Sequence, residues 1–380
     1  MADIIPYGKP FIAGRELEYI AQAVKLGHLS GDGQFTDLCR RWFIERLGCR
    51  HALLTHSCTA ALELAAIAAG IGEGDEVIMA SFTFVSTANA FVLRGARPVF
   101  VDIRRDTLGM DIDSVAAAVT PRTRCIVPMH YGGVACEMDV IDRLARQHQL
   151  VVIEDAAHAL LATHKGRPLG TLGDLGCLSF HDTKNIICGE GGALLFRDEG
   201  FIERAEIARE KGTNRKAFFR GEVDKYSWVD IGSSYLPGEL SAAFLYAQLE
   251  KADQITAHRK ALCAGYRERL EPLEGEGLLH LPPHEHAAEN AGHIFYVLAR
   301  SEAEREALRR HLRGEDIHAV THYVPLHSSL AGRRFGRAAG ALPVTDQVAA
   351  TLLRLPLFYE MTEAQLDRIA ESIARFYARR

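Results

Sequence analysis

Short apolar runs that alternate with amphipathic helical patterns constrain the fold of this chain more than any other feature. Over the first two-thirds of its 380 residues, seven such runs occur, and a helical segment follows most of them. Parallel strands are joined by crossovers that are usually helices, so this alternation predicts an α/β fold with a mostly parallel, seven-stranded sheet flanked by helices. The predicted strands are 52–55, 76–79, 98–101, 125–128, 150–153, 177–180 and 193–196.

The chain is longer than one average domain. A long helical pattern covers 239–270. Beyond it, a strand pattern at 294–298 and a helical pattern at 302–312 indicate the start of a second structural unit. We therefore predict a large domain at 1–248 and a smaller α+β domain at 249–380.

Composition excludes several classes of protein. A formal net charge of −5 gives no basic surface for nucleic acid, and no stretch reaches the roughly 20 apolar residues that span a bilayer. The eight cysteines form no Cys-x-x-Cys pair, and no zinc-ligand spacing occurs among the histidines. We expect a cytoplasmic protein with reduced thiols, no metal, no membrane segment and no nucleic-acid partner.

Lys184 and Asp155 have the settings that pyridoxal phosphate (PLP) requires. Lys184 follows a buried strand pattern and precedes the flexible turn Gly189-Glu190-Gly191-Gly192, while Asp155 ends another strand. PLP needs a lysine amine to bind its aldehyde and a carboxylate to keep its pyridine nitrogen protonated. Alternatively, Lys184 is an ordinary solvated loop lysine, and Asp155 caps a helix at 156–162.

Hydroxyl groups near a helix start complete this set. Ser57, Cys58 and Thr59 join a strand to an alanine-rich helix, whose free N–H groups favour a phosphate. A plain N-cap is the alternative. Ser179 can donate to the same phosphate, and Phe84 and His158 can lie beside the cofactor ring or belong to the core.

In order along the chain, these motifs resemble the DegT/DnrJ/EryC1/StrS family of PLP-dependent sugar aminotransferases. The resemblance covers nearly the whole chain. It is carried by Gly31-Asp32-Gly33, Ser57-Cys58-Thr59-Ala60, Ser81-Phe82-Thr83-Phe84, Glu154-Asp155-Ala156-Ala157-His158, Ser179-Phe180-His181-Asp182-Thr183-Lys184 and Gly189-Glu190-Gly191-Gly192.

The resemblance implies a fold type I aminotransferase and a role for each motif. Lys184 binds the cofactor covalently and then moves the substrate proton, and Asp155 contacts the pyridine nitrogen. The remaining roles are ring stacking by Phe84, contact with the ring hydroxyl by His158, and phosphate contacts by Ser179, Cys58 and Thr59. Ser234 stands where most members have an asparagine that reaches the phosphate of the neighbouring subunit, which implies a homodimer with shared active sites.

Five segments, most of them outside the cofactor motifs, carry a finer resemblance: 83–90, 211–215, 219–221, 223–226 and 230–236. They most resemble enzymes that make dTDP-4-amino-4,6-dideoxygalactose. This branch implies amination of a dTDP-4-keto-6-deoxy sugar by L-glutamate, with pyridoxamine phosphate between the two half-reactions. A 3-amino or a GDP-linked 4-amino sugar enzyme remains an alternative. A sugar dehydratase is disfavoured, because those members replace the lysine with histidine and Lys184 is retained.

A basic loop is the candidate site for the nucleotide diphosphate. Lys211, Arg215, Arg220 and Lys225 can donate to it from the neighbouring subunit, and an ordinary solvated loop is the alternative. Tyr323 and His327 match a family segment close to the active site and are candidate substrate contacts.

Overall fold

The computed structural model describes residues 4–286 and 289–379. Within these ranges the strands are β1 (His51–Thr55), β2 (Glu76–Ala80), β3 (Arg97–Val101), β4 (Thr123–Val127), β5 (Val151–Asp155), β6 (Thr163–His164), β7 (Arg167–Pro168), β8 (Leu175–Ser179), β9 (Gly192–Phe196), β10 (Tyr296–Leu298), β11 (Arg337–Ala338) and β12 (Leu352–Arg354). The α-helices are α1 (Glu16–Leu26), α2 (Gln34–Leu47), α3 (Cys58–Ala68), α4 (Val85–Val92), α5 (Ile112–Ala118), α6 (Met138–His148), α7 (Ile202–Arg209), α8 (Arg215–Phe219), α9 (Glu239–Leu249), α10 (Ala252–Gly275), α11 (Glu302–Gly314), α12 (Leu330–Phe335), α13 (Pro343–Thr351) and α14 (Glu363–Ala378). Short 3₁₀ helices cover Tyr131–Gly133, Glu199–Phe201, His284–His286 and Leu326–Ser328.

The central sheet has the strand order β1-β9-β8-β5-β4-β2-β3-β11. Its strands are parallel except β9, which pairs antiparallel with both β1 and β8. The predicted α/β class is confirmed, and the seven predicted strands lie within two residues of the observed ones. An eighth, β11, adds to the edge beside β3 and is too short to leave a sequence pattern.

Both faces of the sheet are buried, which explains why its strands are continuously apolar. On β2, Ile78 packs into the core cluster on one face, whereas Val77 and Met79 pack into the cluster on the other. This follows from the alternation of side chains along a strand.

The continuous helix predicted over 239–270 is instead two helices, α9 and α10, with a break at Glu250 and Lys251. Helix α9 packs against α1 and α2, whereas α10 packs against α14 near the C-terminus. The two helices bury their apolar faces against different partners, so the chain breaks between them. This tertiary packing outweighs the local preference for one continuous helix.

A third core cluster lies among α10, α11, α14 and the small sheet of β10 and β12. It contains Leu262, Leu308, Leu353 and Ile369. The strand expected at 294–298 is β10, and the helix expected at 302–312 is α11. The domain division between 248 and 249 stays a prediction. In the described ranges, no helix combines the length and the apolar character needed to cross a membrane.

Candidate active site

The carboxyl ends of several strands meet at one edge of the central sheet. Strands β5 and β8 are parallel, and β1 runs in the same direction because both β1 and β8 are antiparallel to β9. Thr55, Asp155 and Ser179 therefore end their strands at the same edge of the sheet, with β9 between β1 and β8. Ligands of open α/β sheets bind at this edge.

A cavity of about 540 Å³ lies here. Nine of the residues predicted from the sequence line it, namely Ser57, Cys58, Thr59, Phe84, Asp155, His158, Ser179, Lys184 and Tyr323. The fold brings these residues together from positions far apart in the sequence.

Lys184 lies in the loop after β8 and lines this cavity. Its backbone N–H donates to the carbonyl of His181 at 2.9 Å, and its amine has no hydrogen bond or ion pair with any described residue. Burial lowers the pKa of the Lys184 amine. A desolvated amine loses its proton more readily and is therefore a better nucleophile.

Asp155 is held in the cavity by neutral donors. The Thr87 hydroxyl donates to Oδ2 at 2.6 Å, and the N–H of Ala157 donates to Oδ1 at 3.2 Å. Glu154 lies on the opposite face of β5 and accepts the N–H groups of the loop at 170–173. Residues 156–162 form turns, so Asp155 does not cap a helix there.

The start of α3 faces the cavity. Ser57 caps this helix by accepting the N–H of Ala60 at 3.1 Å, and the Thr59 hydroxyl is 2.8 Å from that of Ser86. Strand β9 begins against this turn at Gly192, where a Cβ would stand 2.5 Å from the backbone of Ser57. Burial raises the pKa of the Cys58 thiol, which therefore stays neutral beside an anion.

His158 and Tyr323 form the wall beside Asp155. The N–H of Gly132 donates to Nδ1 of His158 at 3.3 Å, so the ring proton lies on Nε2, which is 3.3 Å from the Tyr323 hydroxyl. Burial and the nearby charge of Lys184 lower the pKa of His158 well below its usual value. Phe84 lies at the cavity mouth with 54% of its surface exposed.

Several cavity residues were not predicted. Thr87 orients Asp155, and two further histidines, His293 and His322, line the wall with Arg354. Burial lowers the pKa of His322 to about 3, so it is neutral at physiological pH. Thr87 lies four residues after Thr83, and this spacing can be read from the sequence. No local sequence pattern marks His293, His322 or Arg354 as cavity residues.

Other predicted residues lie elsewhere in the chain. Ser234, Lys211 and Arg215 line a second cavity of about 500 Å³. Arg220 makes ion pairs with Glu206 at 2.9 Å and Glu222 at 2.8 Å. Their predicted contacts with a neighbouring subunit stay predictions.

Lys225 and His327 also lie outside the first cavity. Lys225 is exposed. The Nδ1 atom of His327 is 2.8 Å from the Ser81 hydroxyl, and its Nε2 is 3.4 Å from Asp346. This arrangement favours His327 as a support for the loop that carries Tyr323, and its contact with substrate stays a prediction.

The first cavity fits PLP. It combines a buried amine near a carboxylate, neutral donors that hold this carboxylate in place, and a helix start that can hold a phosphate. Within the described ranges, no group of three or more His, Cys, Asp or Glu side chains is arranged to hold a metal ion.

Comparison with solved structures supports the same fold. The aminotransferase TlmJ from Streptoalloteichus hindustanus is 29% identical, with a TM-score of 0.90 over 99% of this chain and 100% of its own. 3-Amino-5-hydroxybenzoic acid synthase is 28% identical, with a TM-score of 0.88 over 100% of this chain and 99% of its own. The PLP form of Spr1654 from Streptococcus pneumoniae is 24% identical and shares the fold, with a TM-score of 0.90 over 99% of both chains.

The family model for DegT/DnrJ/EryC1/StrS aminotransferases matches residues 10–374, which is nearly the whole chain. The match agrees with the fold and with the residues gathered around Lys184. The chain belongs to the DegT/DnrJ/EryC1/StrS aminotransferase family, whose aminotransferases use PLP.

Proposed function

We propose that this aminotransferase converts a dTDP-4-keto-6-deoxy sugar to the dTDP-4-amino-4,6-dideoxy sugar of galactose configuration, with L-glutamate as the amino donor. The observation that carries the proposal is the cavity in which the buried Lys184 amine lies with Asp155 at the carboxyl edge of the sheet. The choice of sugar rests on the resemblance of 83–90, 211–215, 219–221, 223–226 and 230–236 to enzymes that make that product.

PLP supplies an electron sink that lets a proton leave the carbon next to an amine. Lys184 would hold the cofactor and would carry this proton between two carbons, which its lowered pKa favours. Asp155 keeps the pyridine nitrogen protonated, and Thr87 holds that carboxylate in place. Ser57, Cys58, Thr59 and Ser179 would hold the phosphate, while Phe84 and His158 would flank the ring.

Sugar binding in this proposal needs two subunits. Lys211, Arg215, Arg220 and Lys225 take the nucleotide diphosphate of a neighbouring active site, and Ser234 reaches its cofactor phosphate. The large exposed side chains of Phe219 and Trp228, on the same stretch of chain, support burial of this region in a homodimer.

The first test is the absorption spectrum of the protein loaded with PLP, before and after L-glutamate, for the wild type and Lys184→Ala. The wild type is expected to show a visible band that the donor bleaches, and Lys184→Ala to show no turnover. Lys165→Ala is the control, because that exposed lysine pairs with Asp139 outside the cavity. A wild-type protein without the band would contradict the proposal.

The second test offers the aminated enzyme three purified ketones: dTDP-linked 4-keto, dTDP-linked 3-keto and GDP-linked 4-keto sugars. Product NMR then gives the carbon aminated and its configuration. Fastest amination of the dTDP-linked 4-keto sugar is expected. Preference for either other ketone would select the alternative transaminases, and loss of a hydroxyl without amination would select a dehydratase.

A further inference from the structure

Asn185, the residue after Lys184, ties the loop of that lysine to a segment far away in the sequence. Its Nδ2 donates to the carbonyl of Ala291 at 2.8 Å, and its Oδ1 is 2.9 Å from Nδ1 of His293. A carbonyl only accepts hydrogen bonds, so Nδ2 faces Ala291 and Oδ1 faces His293. The ring of His293 therefore carries a proton on Nδ1 and donates it to Asn185.

The loop around Asn185 has few other polar contacts. The N–H of Lys184 donates to the carbonyl of His181 at 2.9 Å, and the next backbone bond along the loop is at Cys188. Between them, the backbone of 185–187 makes no hydrogen bond within the described part of the chain. Apart from the burial of two isoleucines, this stretch is held by the Asn185 side chain.

The segment that receives Asn185 is held from its other side by α10. Buried Arg259 of that helix donates from Nε to the carbonyl of Gly292 and from Nη2 to that of His293, both at 3.0 Å. Gly292 has a φ of +61°, and a Cβ there would stand 2.8 Å from the backbone of Arg259. This close approach needs a glycine. A line of contacts thus runs from α10 through this segment to the loop of Lys184.

The ring of His293 is neutral where it lines the cavity. Burial, followed by the charges of Lys184 and Arg259, lowers the pKa of His293 well below its usual value. The ring also packs against His158, with centroids 4.4 Å apart. His293 therefore holds Asn185 through a hydrogen bond without placing a second positive charge beside the Lys184 amine.

We infer that Asn185 and His293 are positioning residues, which hold the Lys184 amine where it moves the substrate proton. The inference rests on the proposed role of Lys184 and adds two residues that act through it. Proton transfer between two carbons needs a precisely placed amine, because a displacement of about 1 Å can slow a reaction about 100-fold. The bridge from Asn185 to the segment at 291–293 supplies this placement.

The experiment measures the donor half-reaction of Asn185→Ala with and without Lys184. With Lys184 present, the rate at saturating L-glutamate is expected to fall by about 100-fold, and the half-saturating concentration to stay within about threefold. In the Lys184→Ala background, added methylamine takes the place of the missing amine. There, Asn185→Ala is expected to leave the rescued rate unchanged, because a free amine is not held by the loop.

His293→Phe tests the same bridge from its other end. It keeps a flat ring but removes the donor to Oδ1 of Asn185, and it is expected to slow the donor half-reaction by about 10-fold. Combining it with Asn185→Ala is expected to add no further loss to that of Asn185→Ala alone, because both changes break one bridge.

Gln248→Ala is the matched control. Gln248 is a buried amide of α9, and its Nε2 bridges the carbonyl of Phe11 at 2.8 Å and the carboxylate of Glu16 at 2.6 Å. It lies outside the cavity. Its replacement is expected to lower the unfolding temperature and to leave the rate of the donor half-reaction unchanged.

A measurement on the protein without PLP adds an independent readout. Competitive labelling with acetic anhydride over a range of pH gives the pKa of the Lys184 amine. Burial lowers this pKa in the wild type. Loss of the bridge lets the amine reach water, so Asn185→Ala is expected to raise the pKa toward its usual value.

The outcomes separate this inference from the proposed function. A slower rate with Lys184 and an unchanged rate with methylamine support the inference. A rate within about threefold of the wild type, or an equal loss in the methylamine-rescued background, would overturn it. If the wild type responds to no amino donor, the proposed function fails. The labelling then decides, because a raised Lys184 pKa in Asn185→Ala supports positioning and an unchanged one overturns it.

Discussion

At the scale of single residues, the site depends on how neighbouring side chains set each group's charge. Lys184 is desolvated, and His158 and His322 are kept neutral by burial and by the lysine's charge. Among the described residues, the hydrogen bonds to Asp155 come from neutral donors, and its charge acts on the nearby Lys184 amine. The cavity thus offers PLP a carboxylate that neutral donors hold in place.

The role of Asp155 predicts the effect of Asp155→Asn. Loss of its charge should slow the donor half-reaction by about 100- to 1000-fold, the range found when one preorganised electrostatic group is removed. Stopped-flow spectroscopy at saturating L-glutamate measures this rate.

Asp174→Asn is its control, because Asp174 binds Arg197 and the N–H of Val152 at the opposite end of β5. A rate for Asp155→Asn within about fivefold of the wild type would contradict the predicted ion pair.

At the scale of elements, helix α3 is a core helix whose start we propose as the phosphate site. Its interior residues are buried between the sheet and α7, while its first turn opens into the cavity. Ser57 accepts an N–H of the helix through its oxygen and still has a hydroxyl hydrogen for a phosphate. The capping by Ser57 and its proposed contact with phosphate can therefore be tested separately.

Ser57→Ala tests that separation against Ser301→Ala. Both variants lose a side-chain N-cap, of α3 and α11 respectively, and each should lose about 1 kcal/mol of folding free energy without cofactor. Only Ser57→Ala should also raise the dissociation constant of PLP, by about 10-fold.

Thermal unfolding and fluorescence titration with PLP measure the two quantities. Equal cofactor affinity in the two variants would argue against phosphate binding at α3.

At the scale of the whole molecule, the proposed homodimer separates the parts of each active site. Lys184 and Asp155 line one cavity, whereas Lys211, Arg215 and Ser234 line another in the same chain. Exposed Trp228 and Phe219 lie on the stretch that carries the second set. A pairing of two chains would let the second cavity of one subunit complete the first cavity of the other.

Mixed dimers test this arrangement. We expect Lys184→Ala and the triple variant Lys211→Ala, Arg215→Ala, Arg220→Ala to be inactive alone on the nucleotide sugar. Random reassociation of the two should restore about a quarter of wild-type activity, because half of the dimers are hybrids with one intact site.

No recovery, with dimers seen by light scattering, would mean that the lysine and the basic loop act within one subunit. Monomers at assay concentration would contradict the shared site altogether.

The sequence by itself determined the α/β class and the seven main strands, and it predicted Lys184, Asp155 and Ser57 as cofactor residues, which the fold brings to one cavity. These features are encoded locally, because apolar runs, strand ends and helix starts follow from neighbouring residues. Only the tertiary structure decided the break between α9 and α10, the edge strand β11 and the position of Arg354 in the wall of the cavity that Lys184 lines. These depend on contacts between segments far apart in sequence, for which no short pattern exists.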